Sequence, residues 1–496
     1  MTIKNSTLKG GSAAFWVHNY TVEDFGTEEK AESQKALLNF SIYNQGNEFT
    51  PDVNGIRYGF TNSVRTDAYG ITKTVSEDGT EVTLGTLVEN GLVRRGVAGA
   101  EENTTITKAI VGEGITTLYD RTFRRFYALE TVVLPNTLTT IGAAGSGVFQ
   151  SCTALKNIVI PESVTVLGKG TFQECSSLES INIPAGVTRI EENALSATGL
   201  VSVEFHEGVT YFGAQAFRDC KQLKEVVIKA PEFEMEGNTF GIMAAPFTQM
   251  TIYVANPAMK AYVESKLTDH AKTYITVVGP EEVSDTEDLN TALADGKDVF
   301  LTADIAVANT EVGSNGYGAT GISQLKGGTI DGNGKSISVN AWGTWDSAIN
   351  TTGGTIKNVN VTGGMRGIFI NHNSEYSEKV ILQNVTIDGT IYTISCDQGT
   401  NKGLEAYNST FKGWTSYAAT IGTVKFDNCS FGEGQGYAFC RPYAATEFVN
   451  CAFETGFELD ACAPVTFENC TLDGVALTAE NLSTLVTENT TNATVK

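Results

Sequence analysis

The sequence predicts an all-β, multidomain protein in which an N-terminal β-rich module precedes two different stretches of stacked repeats. Its 496 residues are enough for roughly three domains of ordinary size. The composition, with 51 glycines and only 10 prolines, is typical of many short strands joined by tight turns. Two separate patterns also recur with periods of about 20–26 residues, and such periods indicate solenoids.

The N-terminal module is assigned to residues 1–104. Segments with the composition of strands occur at Ala13–Val17 and Leu37–Tyr43. A turn signal at Ser76–Gly79, between two alternating apolar segments, predicts a β-hairpin. We therefore expect a separate β-rich module here, with a linker near residues 100–105.

Residues 105–279 contain the first repeat. Each unit begins with a leucine, continues into a short apolar strand that often ends in proline, and then forms a second short strand. The opening leucines are Leu129, Leu155, Leu178, Leu200 and Leu223. A large apolar residue precedes each of them by five or six positions: Phe123, Phe149, Phe172, Leu195 and Phe217. One unit cannot bury its own apolar face, so we expect stacked units with Phe149, Phe172 and Phe217 in an internal ladder.

This first repeat resembles the BspA-like class of bacterial leucine-rich repeats. The resemblance rests on an aromatic residue, a cysteine, a leucine, a strand ending in Ile-Pro and a following Val-Thr, as in Phe149–Thr165. The segment Thr251–Lys272, with its helical second half, resembles the closing unit of that class. The resemblance implies a leucine-rich-repeat solenoid that serves as a binding or adhesion scaffold rather than as a catalyst.

Residues 280–496 contain a second repeat, marked by one asparagine in each unit. The asparagines are Asn358, Asn384, Asn408, Asn428, Asn450 and Asn469. An amide at the same turn of every coil can hydrogen-bond to the coils above and below. We therefore predict an asparagine ladder. A second column is expected to stack aromatic rings: Tyr392, Tyr417, Tyr437 and Phe457.

The second repeat resembles right-handed parallel β-helices of the pectin-lyase-like class. A short helix at Leu289–Gly296 and a first strand at Val299–Ile305 also match the start of that fold. The tail Thr478–Val486 is expected to form a capping helix, because the last coil would otherwise expose a sheet edge. The resemblance implies a fold more firmly than a function, since unrelated chemistries share one fold.

Charge and composition exclude several classes of function. The formal net charge is −23, so no nucleic-acid partner is expected, because such binding needs clustered cations. No window of 18 apolar residues occurs, so we expect no membrane insertion. The nine cysteines lack zinc-ligand spacing and are interpreted as small buried residues. No metal or cofactor is expected.

β-Helix proteins often cleave polysaccharides, so an enzymatic function is one of the alternatives. The polar residues that could contribute are Asp346, Arg366, His372, Asp388, Asp397, Glu405 and Arg441. Glycosidases need two carboxylates facing one groove, about 5–10 Å apart. No two of these acids occupy matching positions in adjacent coils, so the sequence predicts no catalytic residues and no enzyme.

Four aromatic residues are the candidate ligand-binding residues: Trp342, Trp345, Trp414 and Tyr443. Exposed rings of this kind stack on sugars or anchor a protein partner. The alternative is that they are buried against the side of a coil.

The sequence leaves three functions open. The first is a phage virion component, such as a fibre, spike or capsid decoration. It would attach to virion proteins through its N-terminal module and contact a host cell-surface protein or glycan through the solenoids. The second is a bacterial cell-surface adhesin, and the third is a polysaccharide-cleaving enzyme. The start of the sequence carries no export signal, and this favours the virion. By analogy with spikes, a homo-oligomer is possible.

Overall fold

The computed structural model shows a nearly all-β chain, which confirms the predicted fold class. The chain divides into two compact units, Met1–Gly279 and Pro280–Lys496. The structure describes these residues: 7–8, 48–49, 65–66, 71–86, 91–93, 98, 102–142, 147–241, 249–307, 324–339, 347–370, 378–396, 402–417 and 422–496.

The first unit is a solenoid with strands on two sides, and we call it the repeat solenoid. One side carries the strands Arg65–Thr66, Ile71–Val75, Glu81–Thr86, Lys108–Val111, Thr131–Val133, Asn157–Ile158, Ser180–Ile181, Ser202–Phe205, Glu225–Ile228, Met250–Val254 and Ile275–Val278. The other side carries Gly91–Val93, Ile115–Leu118, Thr140–Ile141, Val166–Leu167, Arg189–Ile190, Tyr211–Phe212 and Glu234–Met235. Pairing from coil to coil is parallel. A separate parallel pair joins Thr7–Leu8 to Glu48–Phe49.

The sequence predicts a separate module that ends at residue 104. The strands between Ile71 and Val93 belong instead to the repeat solenoid. The predicted hairpin joins Ile71–Val75 to Glu81–Thr86 in antiparallel register. However, Glu81–Thr86 then pairs in parallel with Lys108–Val111, and Gly91–Val93 pairs with Ile115–Leu118. The strand pairing therefore runs across the predicted boundary. Most residues before Ile71, including Ala13–Val17 and Leu37–Tyr43, lie outside the described residues.

A phenylalanine stack fills the repeat solenoid. The rings of Phe123, Phe149 and Phe172 lie nearly parallel, with neighbouring centroids 5.4 Å apart. Leu195 occupies the next coil, and Phe217 stacks on Phe240 at 5.0 Å. These side chains are almost fully buried, so every coil supplies part of the core of its neighbour.

The three cysteines of the repeat solenoid are hydrogen-bond donors within this core. Each thiol donates to the carbonyl oxygen of the large apolar residue in the preceding coil, and each Sγ–O distance is 3.1 Å. The pairs are Cys152–Phe123, Cys175–Phe149 and Cys220–Leu195. Burial raises the pKa of Cys175 to about 12, so this thiol keeps its proton. The recurrence of cysteine is therefore explained by packing and hydrogen bonding.

Two short helices and a final strand end the first unit. The helix Pro257–Lys266 is capped by Asn256, whose side chain accepts a hydrogen bond from the Met259 amide. The short helix Asp269–Lys272 follows. The strand Ile275–Val278 then pairs with Met250–Val254 and completes the sheet.

The second unit is a solenoid of parallel coils with three sides, and we call it the C-terminal solenoid. Side 1 carries Glu281–Val283, Val299–Leu301, Leu325–Asp331, Ser347–Lys357, Val380–Gln383, Gly403–Tyr407, Thr423–Asp427, Thr446–Val449, Val465–Glu468 and Ala493–Val495. Side 2 carries Ile305–Val307, Ser336–Val339, Asn360–Gly363, Thr386–Asp388, Thr410–Lys412, Ser430–Gly432, Ala452–Phe453, Thr471–Leu472 and Val475–Ala476. Side 3 begins within Ser347–Lys357 and continues with Arg366–Ile370, Tyr392–Cys396, Trp414–Tyr417, Phe439–Pro442, Glu458–Asp460 and Val486–Glu488.

Both ends of the C-terminal solenoid are covered. The helix Thr286–Ala294 buries Leu289, Ala292 and Leu293 against the first coil. At the other end the predicted helix over Thr478–Val486 is wrong, because only Leu482–Thr484 forms a single 3₁₀ turn. Instead, the strand Ala493–Val495 pairs with the last coil on side 1, and Val486–Glu488 pairs with it on side 3. Strands rather than a helix therefore cover these two sheet edges.

The six asparagines occupy the corner between sides 1 and 2, and all have φ angles of 50–53°. Asparagine tolerates this left-handed conformation better than other residues with a side chain. Amide groups join neighbours where Asn384 donates to Asn358 at 3.0 Å and Asn428 donates to Asn408 at 2.7 Å. Five of the six are exposed, so the ladder lies at the surface and not in the core.

The surface position changes the expected cost of removing one member of the ladder. We expect Asn428→Ala to destabilise the C-terminal solenoid by about 1–2 kcal/mol, because alanine is strained at positive φ. Asn428→Gly should cost only a few tenths of a kcal/mol, because glycine adopts this conformation without strain. Urea denaturation of the two variants tests this. Equal losses for alanine and glycine would mean that the amide contact, and not the backbone, selects asparagine.

Candidate functional site

The carboxylates on side 1 of the C-terminal solenoid are matched by lysines. Glu405 lies 2.6 Å from Lys379 and also accepts a hydrogen bond from the Tyr407 hydroxyl. Partial burial would raise the pKa of Glu405, but these hydrogen bonds outweigh it and the pKa is lowered. The pKa of Asp427 is lowered mainly by its hydrogen bond from Lys425. Neither carboxylate therefore has the raised pKa that is typical of a general acid.

The predicted ligand-binding residues fall into two groups. Trp342 and Trp345 lie outside the described residues, as do Asp346, His372 and Asp397 of the enzymatic hypothesis. Trp414 and Tyr443 both lie on side 3, or directly after one of its strands. Tyr443 is 44% exposed, and Trp414 is half-buried.

Trp414 is the centre of a row of four aromatic rings on the outer surface of side 3. We call Tyr392, Trp414, Tyr437 and Phe439 the aromatic row. Strand register pairs Tyr392 with Trp414, and Trp414 with Phe439. The Trp414 ring centroid lies 5.1 Å from that of Tyr392, 5.9 Å from Tyr437 and 5.4 Å from Phe439. The row therefore crosses three successive coils along the direction of stacking.

Local turns place these rings on the surface. Gly413 has φ of 133°, and a Cβ atom there would lie 2.8 Å from the Ile391 carbonyl oxygen, so only glycine allows the chain to turn into the Trp414 strand. Tyr437 ends a two-residue turn in which Gly434 and Tyr437 exchange both backbone hydrogen bonds. This turn leaves the Tyr437 ring 40% exposed.

An ion pair borders the aromatic row. The Arg441 guanidinium lies 5.1 Å from the Phe439 ring centroid and 5.7 Å from that of Trp414. Its Nε is 3.0 Å from Oδ2 of Asp460, which is almost completely buried. Asn489 donates to the other carboxylate oxygen at 2.6 Å. Arg441 is thus held in place by a partner that also neutralises its charge.

The aromatic column expected from the sequence does not form as predicted. Tyr417 is fully buried, and its hydroxyl contacts the Thr446 hydroxyl at 2.7 Å. It aligns with Cys396 and Pro442, whereas Tyr392 aligns with Trp414. Phe457 lies in the core. Sequence reasoning also missed Phe439, although the alternation of Phe439 and Arg441 with buried neighbours would have indicated two outward residues.

Two searches covered the described parts of the chain, one for clusters of metal-ligating side chains and one for long apolar helices. Within them, no group of three or more His, Cys, Asp or Glu residues is placed to hold a metal ion. No helix among the described residues is long and apolar enough to cross a membrane.

Residues 143–244 match the family model of the BspA type leucine rich repeat region, in six copies. This agrees with the predicted resemblance over that part of the chain. No curated protein matches the sequence. The similar solved structures include a leucine rich cell surface protein from Faecalibacterium prausnitzii, with 14% identity, a TM-score of 0.24 and coverage of 71% of this chain and 91% of that one. A leucine-rich repeat protein from Bacteroides ovatus has 15% identity, a TM-score of 0.22 and coverage of 88% and 100%.

Proposed function

We propose that the protein is a non-catalytic recognition protein displayed at a surface, and that it binds a neutral glycan along the aromatic row. The observation that carries this proposal is the alignment of half-exposed rings across three coils. Such rings stack against the apolar faces of sugars. The row also has the direction that an extended chain of sugars needs, because it crosses successive coils at a spacing of 5.1–5.9 Å.

The charges beside the aromatic row favour a neutral ligand. Arg441 is the cation nearest to Trp414 and Phe439 among the described residues, and Asp460 neutralises it. Glu433 and Glu458 are exposed nearby, and the whole chain has a net charge of −23. Acidic glycans would therefore be repelled.

The absence of catalysis belongs to the same proposal. Glu405 and Asp427 have lowered pKa values, and Lys379 and Lys425 contact them. Arg366, a candidate base from its sequence position, is buried and lies over the Phe369 ring. The matched BspA-type repeats support a scaffold for binding or adhesion. The test is an assay for reducing sugars released from any glycan that binds. Detection of cleavage would contradict this part of the proposal.

The surface in question is that of a phage particle or that of a bacterial cell. None of the nine cysteines forms a disulfide bond, and this favours folding in a reducing compartment, as a virion protein would. The BspA-type match favours the cell surface. Mass spectrometry of purified particles and of host envelope fractions decides between the two. Recovery in stoichiometric amounts with particles would support docking through residues 1–104, and recovery only in the envelope would support the adhesin.

We expect Trp414→Ala to weaken glycan binding by about tenfold or more, because a central aromatic contact is worth roughly 1.4 kcal/mol or more. Tyr437→Ala should weaken binding as well, and its exposed turn position keeps the effect of this change on folding small. Tyr253→Ala, which removes a ring of similar exposure from the repeat solenoid, is the matched control. Affinity electrophoresis in gels containing neutral or acidic polysaccharides measures these effects. Equal retardation of all three variants would contradict the proposal. Binding to a host protein and to no glycan would show that the ligand is a protein.

A further inference from the structure

We propose that a cavity at the C-terminal end of the repeat solenoid binds a small carboxylate ligand that has an apolar body. The cavity, of about 260 Å³, lies between the last coil and the helices Pro257–Lys266 and Asp269–Lys272. Its apolar lining consists of Met235, Phe240, Leu267 and Ala271, all of which are buried. This site is separate from the aromatic row and does not depend on it.

Two cationic side chains, Arg218 and Lys266, line the same cavity together with the imidazole of His270. No carboxylate is among the described residues that line it. This contrasts with the composition of the chain, which has 57 acidic and 34 basic residues. The cavity is therefore a cationic site on a strongly acidic protein.

Contacts with neutral groups hold each of these side chains in place. Arg218 donates from Nη1 to the Gln215 side-chain oxygen at 3.0 Å. Lys266 lies 5.2 Å from the Tyr262 ring centroid, and the His270 ring packs edge-on against Tyr274. Such contacts orient these side chains, and the contacts of Lys266 and His270 bring no negative charge to them.

In the described part of the chain neither Lys266 nor His270 has a carboxylate partner, whereas Arg218 lies 3.3 Å from Asp219. An anion placed among the three groups would gain charge-assisted hydrogen bonds. A carboxylate suits the planar guanidinium of Arg218.

The size and lining of the cavity define the rest of the ligand. A volume of 260 Å³ is slightly below the roughly 300 Å³ at which pockets for drug-sized ligands begin, so a fragment with one ring or one side chain fits. Met235, Phe240 and Leu267 would cover that apolar body. Two sources share this chemistry: a free apolar carboxylic acid, and the C-terminus of a peptide that ends in an apolar residue.

Titration of the full-length protein with paired probes tests the proposal. The free-acid pair is 3-phenylpropionate and 3-phenylpropanamide, and the peptide pair is acetyl-Ala-Phe as the acid and as the amide. Isothermal titration calorimetry at pH 7 should show that at least one acid binds about tenfold or more tightly than its amide, because only the acid gains charge-assisted contacts. Comparison of the two acids identifies the source. Equal affinity of acid and amide in both pairs, or no saturable binding of any probe, would overturn the proposal.

Matched charge variants locate the site. Lys266→Glu should weaken binding of the acid by about tenfold or more, since it places a like charge in the cavity. Lys266→Met removes the charge but keeps an unbranched side chain against Tyr262, and it should give a smaller loss. Lys272→Glu makes the same change on an exposed residue of the next helix that does not line the cavity, and it should leave the affinity within about twofold. A loss in Lys272→Glu as large as that in Lys266→Glu would show that net charge alone is responsible and would refute the site.

Discussion

Replacement of Phe172 with alanine is expected to destabilise the repeat solenoid by about 3–5 kcal/mol. The Phe172 ring is fully buried and lies 5.4 Å from that of Phe149, with an angle of only 4° between the planes. Leu195 fills the same position in the next coil. The coils on either side cannot close the gap, because their strands are held in register by hydrogen bonds. The variant should therefore retain most of the cavity that the ring leaves.

Hydrogen–deuterium exchange during urea denaturation measures this loss, because it reports on the two compact units separately. The control is Val159→Ala, which removes two carbons from a side chain that is 74% exposed in the same solenoid. That variant should change stability by less than about 0.5 kcal/mol. If Phe172→Ala also changed the free energy of unfolding by less than this amount, the phenylalanine stack would not be what stabilises the repeat solenoid.

The second large effect is expected from Arg441→Met, which should destabilise the C-terminal solenoid by about 2–4 kcal/mol. The change leaves the Asp460 carboxylate almost completely buried, while Asn489 still donates a hydrogen bond to it. Arg441 is itself about one-third exposed, so water can partly replace it, and this keeps the cost below that of a fully buried pair. Methionine preserves much of the contact with Phe439.

A second substitution in the Arg441→Met background separates the buried charge from this packing. Asp460→Asn in the Arg441→Met background removes the unpaired buried charge, so the double variant should regain roughly 1–3 kcal/mol relative to Arg441→Met alone. Hydrogen–deuterium exchange during urea denaturation gives the unfolding midpoint of residues 439–468, from which the free energies are obtained. Identical midpoints for the single and double variants would show that Asp460 does not depend on Arg441 for its charge compensation.

The coils of both solenoids could be predicted because a repeated unit leaves the same apolar face to be covered in every coil. The opening leucines of the first repeat, from Leu129 to Leu223, are all buried in the core. The period could not show that Ile71–Val93 pairs with the first coil, because that segment carries only a hairpin signal and lacks the repeated pattern.

The asparagine column was visible in the sequence, but the reason for it was not. The structure shows a left-handed backbone at all six positions. A related signal exists in the first repeat, where one left-handed position is Gly147, Gly170 and Asn193 in successive coils. The same repeat position is Arg121 and Gln215 in other coils, so residue type there indicates positive φ only in part.

The aromatic row was only partly predictable. The sequence indicates Trp414 as an exposed ring, but it places Tyr392 and Tyr437 in a different column and does not indicate Phe439. Tyr392, Trp414 and Phe439 are separated by 22 and 25 residues, so equal spacing cannot align them. Strand hydrogen bonds set the register, and an irregularity after Tyr392 shifts it further. Neither feature can be derived from residue types alone.

The left-handed corner of the C-terminal solenoid has a consequence for how such a chain can change its length. In the five coils from Asn358 to Asn450 the backbone amide of the asparagine donates to the following coil, as that of Asn384 does to the Tyr407 carbonyl and that of Asn408 to the Asp427 carbonyl. A whole coil that is duplicated or deleted therefore brings or removes a matched set of donors and acceptors. The reach of the molecule can thus be altered in steps of one coil while every remaining interface keeps its partners.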